Sequence, residues 1–424
     1  MKKTGRKLGE AQKESLEAQR RLRGLAWESL WDTVMYSGLA FVEEELEKER
    51  AELCGQRYVH LAERQAVRFG QVPSSLVLGG RRVTVGRPRA RSSRGHELSL
   101  PSWEKLSSRD PLDQRALEQM VVGVSTRGYG RSLEALPAGF SMHGISKSTI
   151  SERFVAGSTV KLEELTQRRL EGLELLVLMI DGVHFAEHVV LVAVGIDGQG
   201  NKHVLGLREG ASENASACKE LLAELIERGL KAERSLLVVI DGAKALHKAV
   251  TDTFGARVLI HRCQVHKKRN VLEQLPERMR ASVKATINQA YALRDYKRAE
   301  RLLENLARQL SRDYPGAAAS LREGLQESLS LMRLELPPSL ERVLSSTNLI
   351  ENLFSRVRQV AQRVKRWQGG TMILRWTAAG VLEAERSFRK VAGYQGLPML
   401  MSKLRALDAA LDRQCRVEKI NRAA

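Results

Sequence analysis

Between residues 174 and 263 the chain alternates short apolar runs, turns and amphipathic stretches in an order that few folds accept. ELLVLMID is a strand-length apolar run ending in aspartate. HVVLVAVGID and KHVLGLREG follow, separated by Asp197-Gly198-Gln199-Gly200, and pair as a hairpin. SENASACKELLAELIERGL has the apolar spacing of a surface helix and is closed by Gly229. SLLVVID is a second apolar strand ending in aspartate, GAKALHKAVTDTF reads as a helix, and ARVLIHRC as a last strand. The order is strand, strand, strand, helix, strand, helix, strand. Antiparallel hairpins followed by strand–helix units predict an α/β fold on one mixed sheet, not a doubly wound parallel one.

That pattern matches a ribonuclease-H-like core, with its first part at residues 170–274 and its last at 346–410. Residues 275–345 between them read as an all-helical insertion, with Pro276 and Pro315 marking starts and Pro337-Pro338 a stop. Residues 411–424 read as a tail. Upstream, residues 1–109 form a basic region, helical over 1–66. Over 70–100 it turns into β-prone runs around a Gly-Gly pair, which predicts a hairpin. Residues 110–165 read as a helix-turn-helix-like cluster. Asp110-Pro111 starts one helix, with Asp as cap. Tyr129 to Leu136 reads as a second. ISKSTISERFV, residues 145–155, is a third, capped by Ser146, with Ile150 and Phe154 inward and Lys147, Ser148, Ser151 and Arg153 as polar heads. Those short hydroxyl and basic side chains suit phosphates and base edges, so this is the candidate recognition helix. A plain packing module is the competing reading, and the connection from Pro137 to Ile145 is long for a helix-turn-helix.

Charge narrows the partner. The 424 residues hold 69 Lys and Arg against 50 Asp and Glu, a formal net charge of +19. That favours a polyanion, nucleic acid ahead of a membrane surface. Residues 81–98 hold six arginines and one glutamate. Arg87 and Arg89 there are candidate phosphate contacts, or part of a solvated loop. No apolar run approaches the ~20 residues of a membrane span, and the N-terminal stretch lacks the apolar core of a signal peptide. The four cysteines are far apart, without a Cys-x-x-Cys. A cytoplasmic protein in a reducing compartment is expected.

Three carboxylates carry the chemistry. VLMIDG and VVIDG set Asp181 and Asp241 at the carboxyl ends of two apolar strands. Each alone reads as an Asp-Gly turn. Together, on neighbouring strands, they would repel unless a divalent cation lay between them, and ligands gather at carboxyl strand ends. Oxygen ligands suit Mg²⁺ or Mn²⁺. Glu351, in SSTNLIENLFSRVR, would complete the site. Its competing reading is a helix cap, with Asn348 as cap residue and Glu351 three positions on. Arg356, Arg358, Arg363, Lys365 and Arg366 follow without an acid among them, as a phosphodiester reaction on two metals would want. In HRCQVHKKRN, Cys263 and His266 have the spacing of half a zinc site but no second pair. Cys263 is expected at the strand end and His266 beside the carboxylates, while Lys267, Lys268 and Arg269 meet DNA or solvent.

VLMIDGVHFAEH, GLREGASENASACKELLAELIERGL, VVIDGAKALHKAV, HRCQVHKKRNVLEQLPER, STNLIENLFSRVR and KRWQGGTMILRWTAAG together resemble bacterial transposases of the IS256 or Mutator family. The resemblance spans roughly residues 100–395. It implies a ribonuclease-H-like domain with Asp181, Asp241 and Glu351 as an Asp-Asp-Glu triad, two Mg²⁺ or Mn²⁺ ions, and Cys263 and His266 as a Cys-x-x-His signature. It implies an N-terminal region that binds terminal inverted repeats. Water activated at the triad would attack a phosphodiester, and the freed 3′-hydroxyl would attack target DNA. Synapsis of two ends implies a dimer or larger. One departure is that the family often has a tryptophan where Ser216 to Cys218 stand. A structure-selective nuclease or resolvase on the same fold, and a non-catalytic DNA-binding regulator, are the alternatives.

Overall fold

The computed structural model of the protein describes residues 30–59, 66–108, 110–210 and 215–423, with side chains to residue 416. The expected N-terminal helix therefore falls partly outside the described residues, as does the SEN start of the helix after residue 210. Two compact units divide at Gly157/Ser158.

The first unit opens with helix α1 (Leu30–Cys54). Strands β1 (Ala66–Leu78) and β2 (Arg81–Ser92) then form the antiparallel hairpin expected from the Gly-Gly pair. Gly79 and Gly80 both take positive φ, 59° and 83°, which a two-residue hairpin turn demands and side chains resist. Short strands β3 (Glu97–Leu98) and β4 (Met142–His143) extend this sheet. Helix α2 (Pro101–Ser107) precedes α3 (Leu112–Val121). Asp110 caps α3 by accepting from Leu112 N–H at 3.1 Å. The helix expected over Tyr129–Leu136 shrinks to one 3₁₀ turn at Gly130–Ser132. Flanking glycines and Pro137 weaken a longer helix, and the Tyr129 hydroxyl is drawn instead to the Gly80 carbonyl at 2.8 Å. Helix α4 (Lys147–Gln167) starts on Ser146, whose hydroxyl accepts from Thr149 N–H at 3.2 Å, and buries Ile150 and Phe154. It continues well past the short helix expected.

The second unit is built on a mixed five-stranded sheet in the order β7-β6-β5-β8-β9. Strands β5 (Leu175–Phe185), β6 (His188–Asp197) and β7 (Lys202–Gly210) are an antiparallel meander. Strands β8 (Leu236–Ile240) and β9 (Val258–Arg262) run parallel to β5. Helices α5 (Ala215–Glu227) and α6 (Lys244–Phe254) make the crossovers. Because both faces are covered, β8 is apolar throughout and β5 is apolar from Leu175 to Ile180. Leu178, Ile180, Val238 and Ile240 face α5 and α6, while Met179, Leu237 and Val239 face the opposite layer.

After α7 (Gln264–Glu273) come only helices: α8 (Glu277–Ala292), α9 (Tyr296–Leu310), α10 (Pro315–Arg322), the short α11 (Leu325–Ser328), a 3₁₀ stretch and α12 (Pro338–Leu344). They enclose a core of their own around Ile287, Leu303 and Leu321. Pro337-Pro338 starts α12 rather than stopping a helix, since proline fits the first turn, where an N–H has no partner to lose. Then follow α13 (Asn348–Ala361), α14 (Gly370–Glu385) and α15 (Leu397–Ala423), the last running unbroken through residue 411. The end of the Glu209 side chain lies close over Gly370: a Cβ there would come within 1.5 Å of Glu209 Oε2 and would have to displace it. That carboxylate thus sits against the first turn of α14, where the helix dipole favours it.

The helical segment leaves and returns at one place. Gln264 N–H donates to Ser345 O at 3.0 Å, and fully buried His261 places its ring between Ser330 Oγ and Ser345 O. Burial pushes the His261 pKa down to about 4, against hydrogen bonds that raise it. The unfolded chain therefore binds a proton between pH 6.5 and about 4 that the folded protein refuses. Stability present above pH 6.5 should be lost as pH falls through that window, by on the order of 3 kcal/mol. Urea titrations at stepped pH should show that loss, and His261→Gln, which cannot titrate, should flatten it.

Candidate active site

Parallel register brings the two aspartates level. Val177, Leu178 and Met179 pair with Leu237, Val238 and Val239, and two residues further along each strand stand Asp181 and Asp241. Asp241 follows the end of β8, as expected. Asp181 does not end its strand, because β5 continues to Phe185 by pairing with β6. It ends only the part of β5 that β8 accompanies. Asp181 is buried, 9% exposed, and its Oδ1 accepts from Gly182 N–H at 2.9 Å. Asp241 Oδ1 accepts from Ala243 N–H at 2.9 Å, an Asx turn leading into α6.

Glu351 is not a helix cap. Thr347 precedes α13 and makes no side-chain cap bond, and the Glu351 carboxylate lies 3.1 Å from His266 Nε2. The Thr347 hydroxyl is turned inward, 3.6 Å from Cys263 Sγ and 3.3 Å from His266 Nδ1. Cys263 N–H donates to the carbonyl of Ile240, the residue before Asp241, at 2.8 Å. Glu351 thus meets the Cys263–His266 turn directly, Asp241 follows the residue bonded to it, and Asp181 lies near enough for its charge to act on His266. The hydrogen bond with Cys263 raises the His266 pKa most. Burial opposes it, and the charges of Cys263, Asp181 and Glu351 raise it further. Burial pushes the Cys263 thiol up, but hydrogen bonds from His266 and Thr347 outweigh this and bring it down.

Two aspartates and a glutamate are a hard-oxygen donor set of the kind Mg²⁺ and Mn²⁺ take. Asp181 and Glu351 address the same imidazole, so a divalent cation fits the chemistry of the donors. Among the described residues, no group of three or more His, Cys, Asp or Glu side chains is placed to hold a metal ion as it stands.

The basic residues divide. Arg356, Arg358, Lys365 and Arg366 are exposed on and after α13, and Arg269 is exposed beside Glu273. Lys268 is half-buried and donates to Asn288 Oδ1 at 2.8 Å. Lys267 corrects the expectation of a DNA or solvent contact. It is 1% exposed, and its ammonium donates to the carbonyls of Ser320 and Glu323 at the end of α10. Burial pushes its pKa down to about 8. The negative end of a helix holds it there, out of reach of DNA. In the first unit, Lys147, Ser148 and Ser151 are exposed on α4. Arg153 is instead paired with Asp113 at 2.7 Å and Asp110 at 3.4 Å, locking α4 to the start of α3. Arg87 and Arg89 are a quarter exposed, both against Glu97. Thr347 is the residue that sequence reasoning missed. The only signal was its place in the Ser-Thr-Asn run, which also reads as a cap.

Residues 10–390 match the family described as Transposase, Mutator family. A transposase for insertion sequence element ISRM5 from Rhizobium meliloti is 28% identical over 83% of this chain and 88% of its own length. The transposase for IS256 in transposon Tn4001 from Staphylococcus aureus is 27% identical over 74% of this chain and 80% of its own. That for IS6120 from Mycolicibacterium smegmatis is 28% identical over 56% and 72%.

In metal-free protein, the His266 resonance should titrate above the ordinary histidine range. A proton held in the folded state stabilises below pH 6.5, and that contribution is lost as pH rises through the elevated pKa. Glu351→Gln should move the His266 midpoint down by nuclear magnetic resonance titration. An unmoved midpoint would break the link between the two side chains.

Proposed function

Because the chain belongs to the Mutator family of transposases, we propose that it moves an insertion sequence, with Asp181, Asp241 and Glu351 as its catalytic carboxylates on a ribonuclease-H-like sheet. The supporting observation is that Asp181 and Asp241 are level on adjacent parallel strands, while Glu351 meets the Cys263–His266 turn directly and the charge of Asp181 acts on His266. The strand order, with a meander joined to parallel crossovers, supports the fold reading. Residues 275–345 are then an insertion between the second and third catalytic residues.

Asp181, Asp241 and Glu351 would hold Mg²⁺ or Mn²⁺, which when bound lowers the pKa of an attacking hydroxyl and neutralises charge on the phosphate. Asp181 supplies the fixed point, since its strand is hydrogen-bonded on both sides. Glu351 is more exposed and is oriented by His266, which is itself set by Thr347 and Cys263. The exposed cations Arg356, Arg358, Lys365 and Arg366 bind the DNA backbone without consuming the charge of the carboxylates. The reaction is hydrolysis at the element end, leaving a 3′-hydroxyl. That hydroxyl then attacks a target phosphodiester, one P–O bond forming as another breaks. Binding of terminal inverted repeats falls to residues 1–157, through Lys147, Ser148 and Ser151. Holding two ends at once calls for a dimer or larger.

Alanine at Asp181, Asp241 or Glu351 should cut cleavage and strand transfer by about a thousandfold, roughly 4 kcal/mol of transition-state stabilisation, with end binding largely kept. Assays on a labelled element end with Mg²⁺ read both steps. Near-normal cleavage by Glu351→Ala would remove it from the triad, and cleavage without joining would favour a nuclease or resolvase.

The pairing of Arg153 separates two roles on α4. Lys147→Ala should weaken end binding and lower its salt dependence by about one unit of slope. Arg153→Ala should instead lower the unfolding midpoint of the first unit. If Lys147→Ala binds end DNA as wild type does, α4 is not the reading helix.

A further inference from the structure

A cavity of about 470 Å³ lies against α13, and of its lining only Arg356 has been given a role above. Asn348, Asn352 and Arg356 line it, spaced four residues apart and so forming one stripe of the helix. Glu351 lies on the other flank of the buried stripe Ile350, Leu353 and Phe354. It is also an i, i+3 neighbour of the cavity-lining Asn348 on the same helix.

Four cations reach the cavity from separate elements: Lys202 at the start of β7, Arg342 on α12, Arg356 on α13 and Lys390 after α14. No carboxylate lines it, and none of the four has a carboxylate partner within 4.0 Å among the described residues. Lys202 is held 4.8 Å from the centre of the Phe388 ring, and burial pushes its pKa down. Lys202 is half-buried while Arg342, Arg356 and Lys390 are exposed around it, so the hollow offers an anion positive charge on several sides. Bare phosphate does not explain the rest of the lining, where Phe388, Leu349, Leu353 and Val343 form an apolar wall beside the asparagine amides. An anion attached to a flat apolar ring, with edges that hydrogen-bond, answers both halves. The floor is fixed, since Val391 N–H donates to Gly200 O at 2.9 Å.

We propose that this cavity binds one unpaired nucleotide of a DNA strand, its phosphate on the four cations and its base against the Phe388 wall. Cations beside an aromatic surface are the usual means of holding single strands. A base stacked in a duplex cannot enter a hollow of this kind without leaving its stack. The site rests on the transposase reading and deepens it. It would grip a strand beside the helix that carries Glu351.

The test uses the full chain in chelator, so that no chemistry contributes. Anisotropy of labelled oligo-dT is measured across a salt series for wild type and for the Arg342→Gln/Lys390→Gln double variant. The variant should bind about tenfold more weakly at low salt, with the salt slope reduced by ~0.7 for each phosphate that is no longer neutralised. Oligo-dT carrying 5-iodouracil should photo-crosslink to the peptide containing Phe388. Unchanged affinity and slope, or crosslinks confined to other peptides, would overturn the proposal. Thymidine monophosphate is the second probe. If it binds as tightly as the strand, the cavity serves a free nucleotide and the strand assignment falls. A protein that passes these tests yet cleaves no element end would refute the transposase activity and leave the cavity standing; active cleavage with wild-type binding in the variant would do the reverse.

Discussion

Parallel pairing of β5 with β8 is the constraint from which the rest of the second unit follows. Both strands are buried on both faces, so a slip of one residue would turn every apolar side chain to the wrong layer. The register that packing imposes also brings Asp181 and Asp241 level, without any attraction between them. Two like charges are thus held near each other by hydrophobic burial a few residues back along the same strands. The antiparallel arm of β5 adds to this. By continuing to Phe185 it leaves Asp181 inside a hydrogen-bonded ribbon, not on a loose strand end.

Around that fixed pair the Cys263–His266 turn acts as a gauge. Its first residue is tied by backbone to the end of β8, and its last meets Glu351 on α13. Thr347 fills the space between, with its hydroxyl on sulfur and imidazole. Positive charge near the site is of two physical kinds. Lys267 and Arg153 are spent on helix ends and internal ion pairs. Arg356, Arg358, Lys365 and Arg366 keep their charge toward solvent, where a polyanion can reach it. Counting cations along the chain does not distinguish the two kinds; burial does.

The five-stranded sheet was legible in the sequence because its central strands carry long apolar runs, such as Leu175–Ile180 and Leu236–Ile240, and the turn from Asp197 to Gly200 carries glycine. The aspartates were legible for the same reason, as charges ending otherwise uncharged runs. What failed to show was anything decided by long-range partners. Tyr129 to Leu136 has a plausible helical composition, yet the Tyr129 hydroxyl is claimed by Gly80. Lys267 looks like its neighbours Lys268 and Arg269, and only the carbonyls at the end of α10 single it out. The contact of Glu351 with His266 likewise depends on a residue far along the chain. The cations of the α13 cavity span almost two hundred positions, so no local pattern could have joined them.

The backbone bond from Gln264 to Ser345, reinforced by His261, makes the helical segment a closed loop whose two ends meet at the sheet. Its interior has a separate core, so its size is decoupled from the position of Glu351. For a loop fastened in this way, chain entropy grows only with the logarithm of length, and doubling it costs about 0.6 kcal/mol. Helices could be gained or shed there with little effect on the stability of the sheet. The distance along the chain between the second aspartate and the glutamate is thus a weak constraint. The few ångströms between Gln264 and Ser345 are a strong one.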